Sequence, residues 1–176
     1  PLERTTPFDP DDLELDRRNP RFVGDDVAPG KKGEVTIIKR LNEQADLMEL
    51  VESIAANGYL DLEPLFVVVE KGVTVVVEGN RRVAALKVLK DPTLAKLVGI
   101  ILPGMSQDAV ATLDNVHATK LANRDEARQL IGFKHINGTH KWDSYAKARF
   151  AAEWYRKEKK HGTTLEQIAR SLGDRH

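Results

Sequence analysis

The chain has 176 residues, no cysteine, 41% hydrophobic and 31% charged residues, and no net charge. A chain of that size and balance is a soluble protein of one domain, or one domain plus a small appendage, and it buries a real core unaided. The missing cysteines exclude disulfides, thiolate metal sites and thiol nucleophiles, and the longest apolar run, residues 65–69, is far short of the ~20 residues of a membrane span.

The N-terminus carries no basic region followed by an apolar stretch and no Met, which reads as a cytoplasmic protein in fragment or processed form. The first 35 residues are loop-rich, punctuated by Pro7, Pro10, Pro20, Pro29, Gly24, Gly30 and Gly33. A short edge strand is expected at residues 13–15 and a turn at 19–22. The spacing of Leu47, Leu50, Val51, Ile54 and Ala55 predicts a first helix over residues 43–57, with Gly58 at its C-terminal end. A valine-rich hairpin follows, at residues 65–70 and 73–78, turning at Lys71-Gly72. Its second strand runs into Gly79-Asn80-Arg81-Arg82 and a helix that ends near Asp91-Pro92. A strand at 99–102 and a helix at 106–115 are expected next. From Arg124 onward the pattern is helical, with breaks at Gly132, Asn137-Gly138 and Gly162. The fold class is therefore α+β, a small mixed sheet with helices over residues 1–123 followed by an all-helical part over 124–176.

The zero net charge hides a split. Residues 1–127 hold 16 Lys/Arg against 22 Asp/Glu, whereas residues 128–176 hold 11 against 5 and four of the five histidines. A basic C-terminal part can face a polyanion such as DNA, or can simply be a solvated surface. In a helix opening at Asp143-Ser144, Ala146, Phe150 and Trp154 share one face, while Lys147, Arg149, Arg156, Lys157, Lys159 and Lys160 occupy the rest. Thr164 and Gln167 read as a capping box that starts a short helix, and Ile168, Ala169, Leu172 and Gly173 fit the onset of a helix-turn-helix. The alternative is a generic helical hairpin. His135, His140 and His161 are too scattered for a metal site. Trp142 and Trp154 read as core anchors.

The segment 75–87 carries the strongest chemical signal. A strand ends, one glycine permits a sharp turn, two arginines follow and a helix starts. The unpaired N–H groups at a helix start favour an anion, and Arg81 and Arg82 add charge-assisted, potentially bidentate donors for phosphate. It is no Walker loop, since G-x-x-x-x-G-K-[ST] is absent. The competing reading pairs both arginines with nearby carboxylates and leaves Gly79 as a turn. Glu78 is a hard oxygen donor beside the expected phosphates, either a ligand for Mg²⁺ or a partner for an arginine.

Gly79-Asn-Arg-Arg-Val-Ala-Ala-Leu86 resembles the G-E-R-R-x-x-A box of the ParB N-terminal domain, of the ParB/sulfiredoxin fold. Three further stretches resemble the family in the right order. Leu15 to Phe22 is similar to its opening L-x-x-N-P segment. Leu50 to Gly58 with Pro64-Leu-Phe-Val resembles its S-I-x-x-x-G-x-x-x-P block. Leu113-Asp114-Asn115-Val116-His117, with Leu121 and Glu126-Ala127, resembles L-I-E-N-I-Q-R-x-D-L-x-P-x-E-E-A. The resemblance implies binding of CTP or another nucleoside triphosphate with Mg²⁺. Ser53 and Gly58 would lie beside the phosphates, and Gly79, Asn80, Arg81 and Arg82 would cradle them. Asp114 and Asn115 would hold metal and phosphates and aid hydrolysis. The chain departs from the pattern at Asn80 for Glu, Asp114 for Glu, His117-Ala118 for Gln-Arg and Lys120 for Asp. The function implied is a nucleotide-controlled, DNA-associated protein, a homodimer in the cytoplasm at the nucleoid, touching DNA through Arg149, Arg156, Lys157, Lys159 and Lys160 and hydrolysing triphosphate slowly at most. The alternatives are a phosphotransferase (kinase) of the same fold, with Glu78 or Asp114 as base, and a ParB-like nuclease.

Overall fold

The computed structural model describes residues 5–19, 27–44, 46–137 and 144–171. The turn expected at 19–22 runs outside them beyond Asn19, as do Gly138, His140, Trp142, Asp143, Leu172 and Gly173. The chain divides into two compact units, one of Pro1–Arg17 and Gly24–Ala122, the other of Arg18–Val23 and Asn123–His176.

The first unit holds five strands, β1 (Thr6–Phe8), β2 (Glu14–Leu15), β3 (Leu65–Glu70), β4 (Val73–Glu78) and β5 (Val116–Leu121), in the order β1-β5-β3-β4-β2. The sheet is mixed: β1–β5 and β3–β4 are antiparallel, β3–β5 and β2–β4 parallel. The β3–β4 hairpin falls where the valine runs predict it. Its turn residues Lys71 and Gly72 have φ of 51° and 82°, the left-handed pair that matches the twist of the flanking strands. β2 is the expected edge strand. β1 goes unmarked in the sequence because Pro7 argues against a strand, yet an edge strand tolerates a proline whose missing N–H faces away from the ladder.

Among the described residues this unit also holds a 3-10 turn (Pro10–Asp12) and five α-helices, α1 (Lys31–Gln44), α2 (Leu47–Asn57), α3 (Asn80–Lys90), α4 (Pro92–Val98) and α5 (Gln107–Ala111). The helix expected over 43–57 is α2, ending at Asn57 with Gly58 at its C-cap, but it starts only at Leu47, because Glu43 and Gln44 close α1 and Asp46, with φ of 47°, turns the backbone between the two. The stretch 99–102 is no strand. Gly99 (φ 76°) ends α4, and the N–H of Ile100 returns to the Ala95 carbonyl at 2.9 Å, a helix-terminating bond that spends those residues on a C-cap. α3 is the central helix, with residues 83–89 buried, Lys87 among them and held 2.8 Å from Glu34 of α1.

In the second unit the described residues form α6 (Arg124–Asn137), α7 (Ser144–Glu158), a 3-10 turn (Lys159–His161) and α8 (Leu165–Ser171). α6 runs straight through Gly132, so the expected break there is absent, and Gly132 is buried. Asn123 caps α6 by accepting from the N–H groups of Asp125 and Glu126, both at 2.9 Å. Ala146, Phe150 and Trp154 are buried on one face of α7 as their spacing requires, the two rings edge to face at 6.0 Å. Thr164 and Gln167 form the expected reciprocal capping box at the start of α8. Among the described residues the α+β class holds, a mixed sheet with helices followed by helices alone.

Candidate functional site

β4 ends at Glu78, and Gly79 swings the chain into α3 with φ of 102° and ψ of 15°. Only glycine serves there. The left-handed backbone disfavours any side chain, and a Cβ would sit 2.2 Å from a methyl of the fully buried Leu65. The close approach presents the first backbone N–H groups of α3, which have no partner within the helix, at the end of the sheet. Arg81 and Arg82 occupy the same first turn, both half-buried.

Arg82 donates to the carbonyl of Glu63. Burial pushes the Tyr59 hydroxyl above its ordinary pKa, against the opposing pull of the Arg82 guanidinium. The Tyr59 hydroxyl is also 3.4 Å from Asp61 Oδ1. The other Asp61 oxygen accepts from the His117 backbone N–H at 2.7 Å and lies 2.6 Å from His117 Nδ1. Hydrogen bonds thus join Tyr59 to Asp61 and Asp61 to His117 at the start of β5. The sequence shows His117 only as a departure from a motif and gives no sign of Tyr59 or Asp61. Their partners lie far along the chain and carry no recognisable spacing.

Asn80, expected among the phosphate contacts, is only 4% exposed. Its Oδ1 accepts from the N–H of Asp16 at 2.7 Å and its Nδ2 donates to the Val76 carbonyl at 2.8 Å. Its side chain ties the end of β2 to β4, and a ligand at this turn would meet its backbone N–H instead. Gly58 is buried at the end of α2 with φ of 76°, packed on Thr112, whose hydroxyl accepts from the Tyr59 N–H at 2.7 Å. Ser53 is exposed on α2, one turn before that end.

The two carboxylates expected to act together are not joined. Glu78 is half-buried beside Gly79, whereas Asp114 bonds Lys90 at 3.0 Å, at the opposite end of α3 and roughly 15 Å along the helix axis from its start. Lys90 also holds Asp9 at 2.7 Å and Asp11 at 3.1 Å. Burial alone would lower the Lys90 pKa, but its bonds to Asp9, Asp114 and Asp11 outweigh that and raise it. Asp9 is correspondingly held below the usual carboxylate range, chiefly by its hydrogen bond from Lys90. To meet a metal at the Gly79 turn, Asp114 would have to release Lys90. Asn115 beside it is exposed.

Among the described residues no group of three or more His, Asp or Glu side chains could hold a metal ion. That donor set does not fit a preformed cage.

On the helical unit, Arg156, Lys157, Lys159 and Lys160 are exposed. Lys157 lies 3.5 Å from Asp125, and Arg149 bonds Glu153 one turn along α7 at 3.1 Å. Of the five basic residues expected to face DNA, Arg149 is thus the one committed to an intrahelical pair. No helix among the described residues is long and apolar enough to cross a membrane.

No family model and no curated protein matches the chain. Among solved structures it is similar to the C-terminally truncated chromosome-partitioning protein ParB from Caulobacter crescentus complexed with CTP-gamma-S, at 19% identity and a TM-score of 0.41, over 97% of this chain and 72% of that one. A likeness at this level carries neither fold nor function across.

Proposed function

We propose that the first unit binds a nucleoside triphosphate, CTP in the first instance, with its phosphates on the start of α3, and that the helical unit contacts DNA. The observation that carries this reading is the Gly79 turn. Leu65 leaves no room for a Cβ, the first N–H groups of α3 are presented, and Arg81 and Arg82 stand in that same turn. The four stretches that resemble the ParB N-terminal domain support it from the sequence side, because they place the arginine box at this same turn. When bound, Mg²⁺ neutralises phosphate charge, and Glu78 is the residue that would hold it. Exposed Arg156, Lys157, Lys159 and Lys160 supply a cationic surface for the DNA backbone. Nucleotide binding would control conformation or self-association into a dimer.

Calorimetric titration of the wild type with CTP, ATP, GTP and UTP, each with Mg²⁺, tests the reading and names the base. Arg81→Ala and Arg82→Ala should each weaken binding by ~1.5–3 kcal/mol, the range for hydrogen bonds to charged groups. Unchanged affinity in both variants would remove the phosphate cradle. A small-molecule phosphotransferase would then require a different anion site.

A further inference from the structure

Residues 58–64 connect α2 to β3 outside any helix or strand. Two of their apolar side chains do not anchor them, since Leu60 is 64% and Leu62 83% exposed. Tyr59 is buried, and the rest of the hold is polar. At the near end the Tyr59 N–H donates to Thr112 Oγ1 at 2.7 Å, and the Thr112 hydroxyl donates in turn to the Ala109 carbonyl of α5 at 2.6 Å. In the middle Asp61 Oδ2 accepts the backbone N–H of His117 in β5 at 2.7 Å. Between these two anchors and Glu63, the Leu62 N–H folds back to the Leu60 carbonyl at 3.0 Å.

The far end of the segment meets the phosphate turn. Arg82 donates through Nη1 to the Glu63 carbonyl, and its Nη2 lies 3.3 Å from the point where a Cβ of residue 79 would stand. The guanidinium is thus folded back from the first turn of α3 over Gly79. A guanidinium carries five N–H donors in a planar fork, so the bond to Glu63 fixes its plane and leaves donors over for an anion. An arginine that must be ordered by its ligand costs affinity, whereas one already held over the turn does not. The carbonyl that holds it stands two residues beyond Asp61, so its place depends on the anchors at Thr112 and Asp61.

We propose that Thr112 and Asp61 are positioning residues: they fix residues 59–63, whose Glu63 carbonyl holds the Arg82 guanidinium over the Gly79 turn in the pose that receives a phosphate. This deepens the nucleotide-binding reading above and rests on it. Thr112 and Asp61 do not touch the ligand, and each acts through Arg82.

The test uses the full chain in two measurements. Guanidinium ¹⁵N spectra without nucleotide, assigned by the signal that Arg82→Ala removes, should show restricted rotation at Arg82 in the wild type and free rotation in Thr112→Val and Asp61→Ala. Calorimetric titration with CTP, ATP, GTP or UTP and Mg²⁺ should show Thr112→Val weakened about 3- to 10-fold, the scale of ordering one rotamer-rich side chain. Valine keeps the methyl that packs on Gly58 and removes the hydroxyl, and Thr112→Ser, which restores the hydroxyl, should restore affinity. In an Arg82→Ala background Thr112→Val should change affinity by less than about twofold, because the positioned group is gone.

A wild type that binds nucleotide while Thr112→Val binds equally well overturns the proposal and leaves nucleotide binding intact. So does a loss of the same size with and without Arg82, which marks Thr112 as a support of the fold, or a loss that Thr112→Ser does not restore. A gain of affinity in Thr112→Val overturns it too, since the Glu63 carbonyl would then withhold Arg82 from the ligand. Freely rotating Arg82 in the wild type contradicts it without any nucleotide. Wild type that binds none of the four nucleotides removes the nucleotide reading and this proposal with it. Should Thr112→Val fail to fold, Asp61→Ala taken through the same two backgrounds decides.

Discussion

Replacing Asn80 by Ala separates a structural role from a ligand contact. The side chain is almost fully buried, and each of its two polar atoms serves one backbone group, the N–H of Asp16 and the carbonyl of Val76. Asn80→Ala leaves both groups without that partner. A buried polar group stripped of its partner costs roughly 1–3 kcal/mol, so the pair costs about 2–4 kcal/mol if water reaches one of them. For a chain of this length each kcal/mol moves Tm by about 2–4 °C, which gives a fall of roughly 5–15 °C. Circular-dichroism melts measure that fall, and titration with nucleotide at a temperature where the variant is folded measures the site. The expected affinity is within about twofold of wild type, because the N–H of residue 80 is still present in the alanine variant. An unchanged Tm with affinity lost as in Arg81→Ala would refute the assignment and put the Asn80 side chain on the ligand.

Two further outcomes follow from charge. Asp9, held below the usual carboxylate range by Lys90, contributes stability above about pH 4 that is lost as pH falls through its lowered value, while the raised Lys90 keeps its share until pH climbs above the ordinary lysine range. In Lys90→Met the carboxylates of Asp9, Asp11 and Asp114 face one another without a cation, so urea midpoints should drop at neutral pH and recover on acidification, opposite to wild type; parallel pH profiles would show the cluster contributes nothing. On the helical unit, replacing Lys157, Lys159 and Lys160 together should lower the slope of log K against log salt for duplex DNA by up to about three units if each neutralises a phosphate. No DNA binding by the wild type at low salt, with or without nucleotide, would remove the DNA reading.

Where local pattern decides structure, the sequence is readable. The β3–β4 hairpin, the Gly79 turn into α3 and the buried stripe of Ala146, Phe150 and Trp154 all follow from spacing and turn chemistry. The failures have physical causes. α1 carries the apolar set Ile37, Ile38 and Leu41, but it begins directly after Pro29 and Gly30 and holds Gly33 in its first turn, signals that read as a loop. α4 begins directly at Pro92, read as a stop, because Asp91 caps a second helix through the N–H groups of Thr93 and Leu94. β5, with Ala118, Thr119 and Lys120, lacks the apolar alternation of a strand and is placed by its pairing with β1 and β3. The site divides the same way. Arginines after a glycine announce a phosphate turn, whereas the burial of Asn80, the capture of Asp114 by Lys90 and the Asp61–His117 pair depend on contacts across 64, 24 and 56 residues of chain, which no local window contains.

The proposed function places a triphosphate on the start of α3. Backbone amide ¹H–¹⁵N spectra of the full chain, recorded as CTP or the preferred nucleotide is added with Mg²⁺, test it most directly. The largest shifts are expected at Gly79, Asn80, Arg81 and Arg82, smaller ones at Tyr59, Asp61 and His117, and little change at Lys90 and over residues 156–160. Shifts confined to the Lys90 and Asp114 region or to the basic helix, with residues 79–82 unmoved, would contradict it.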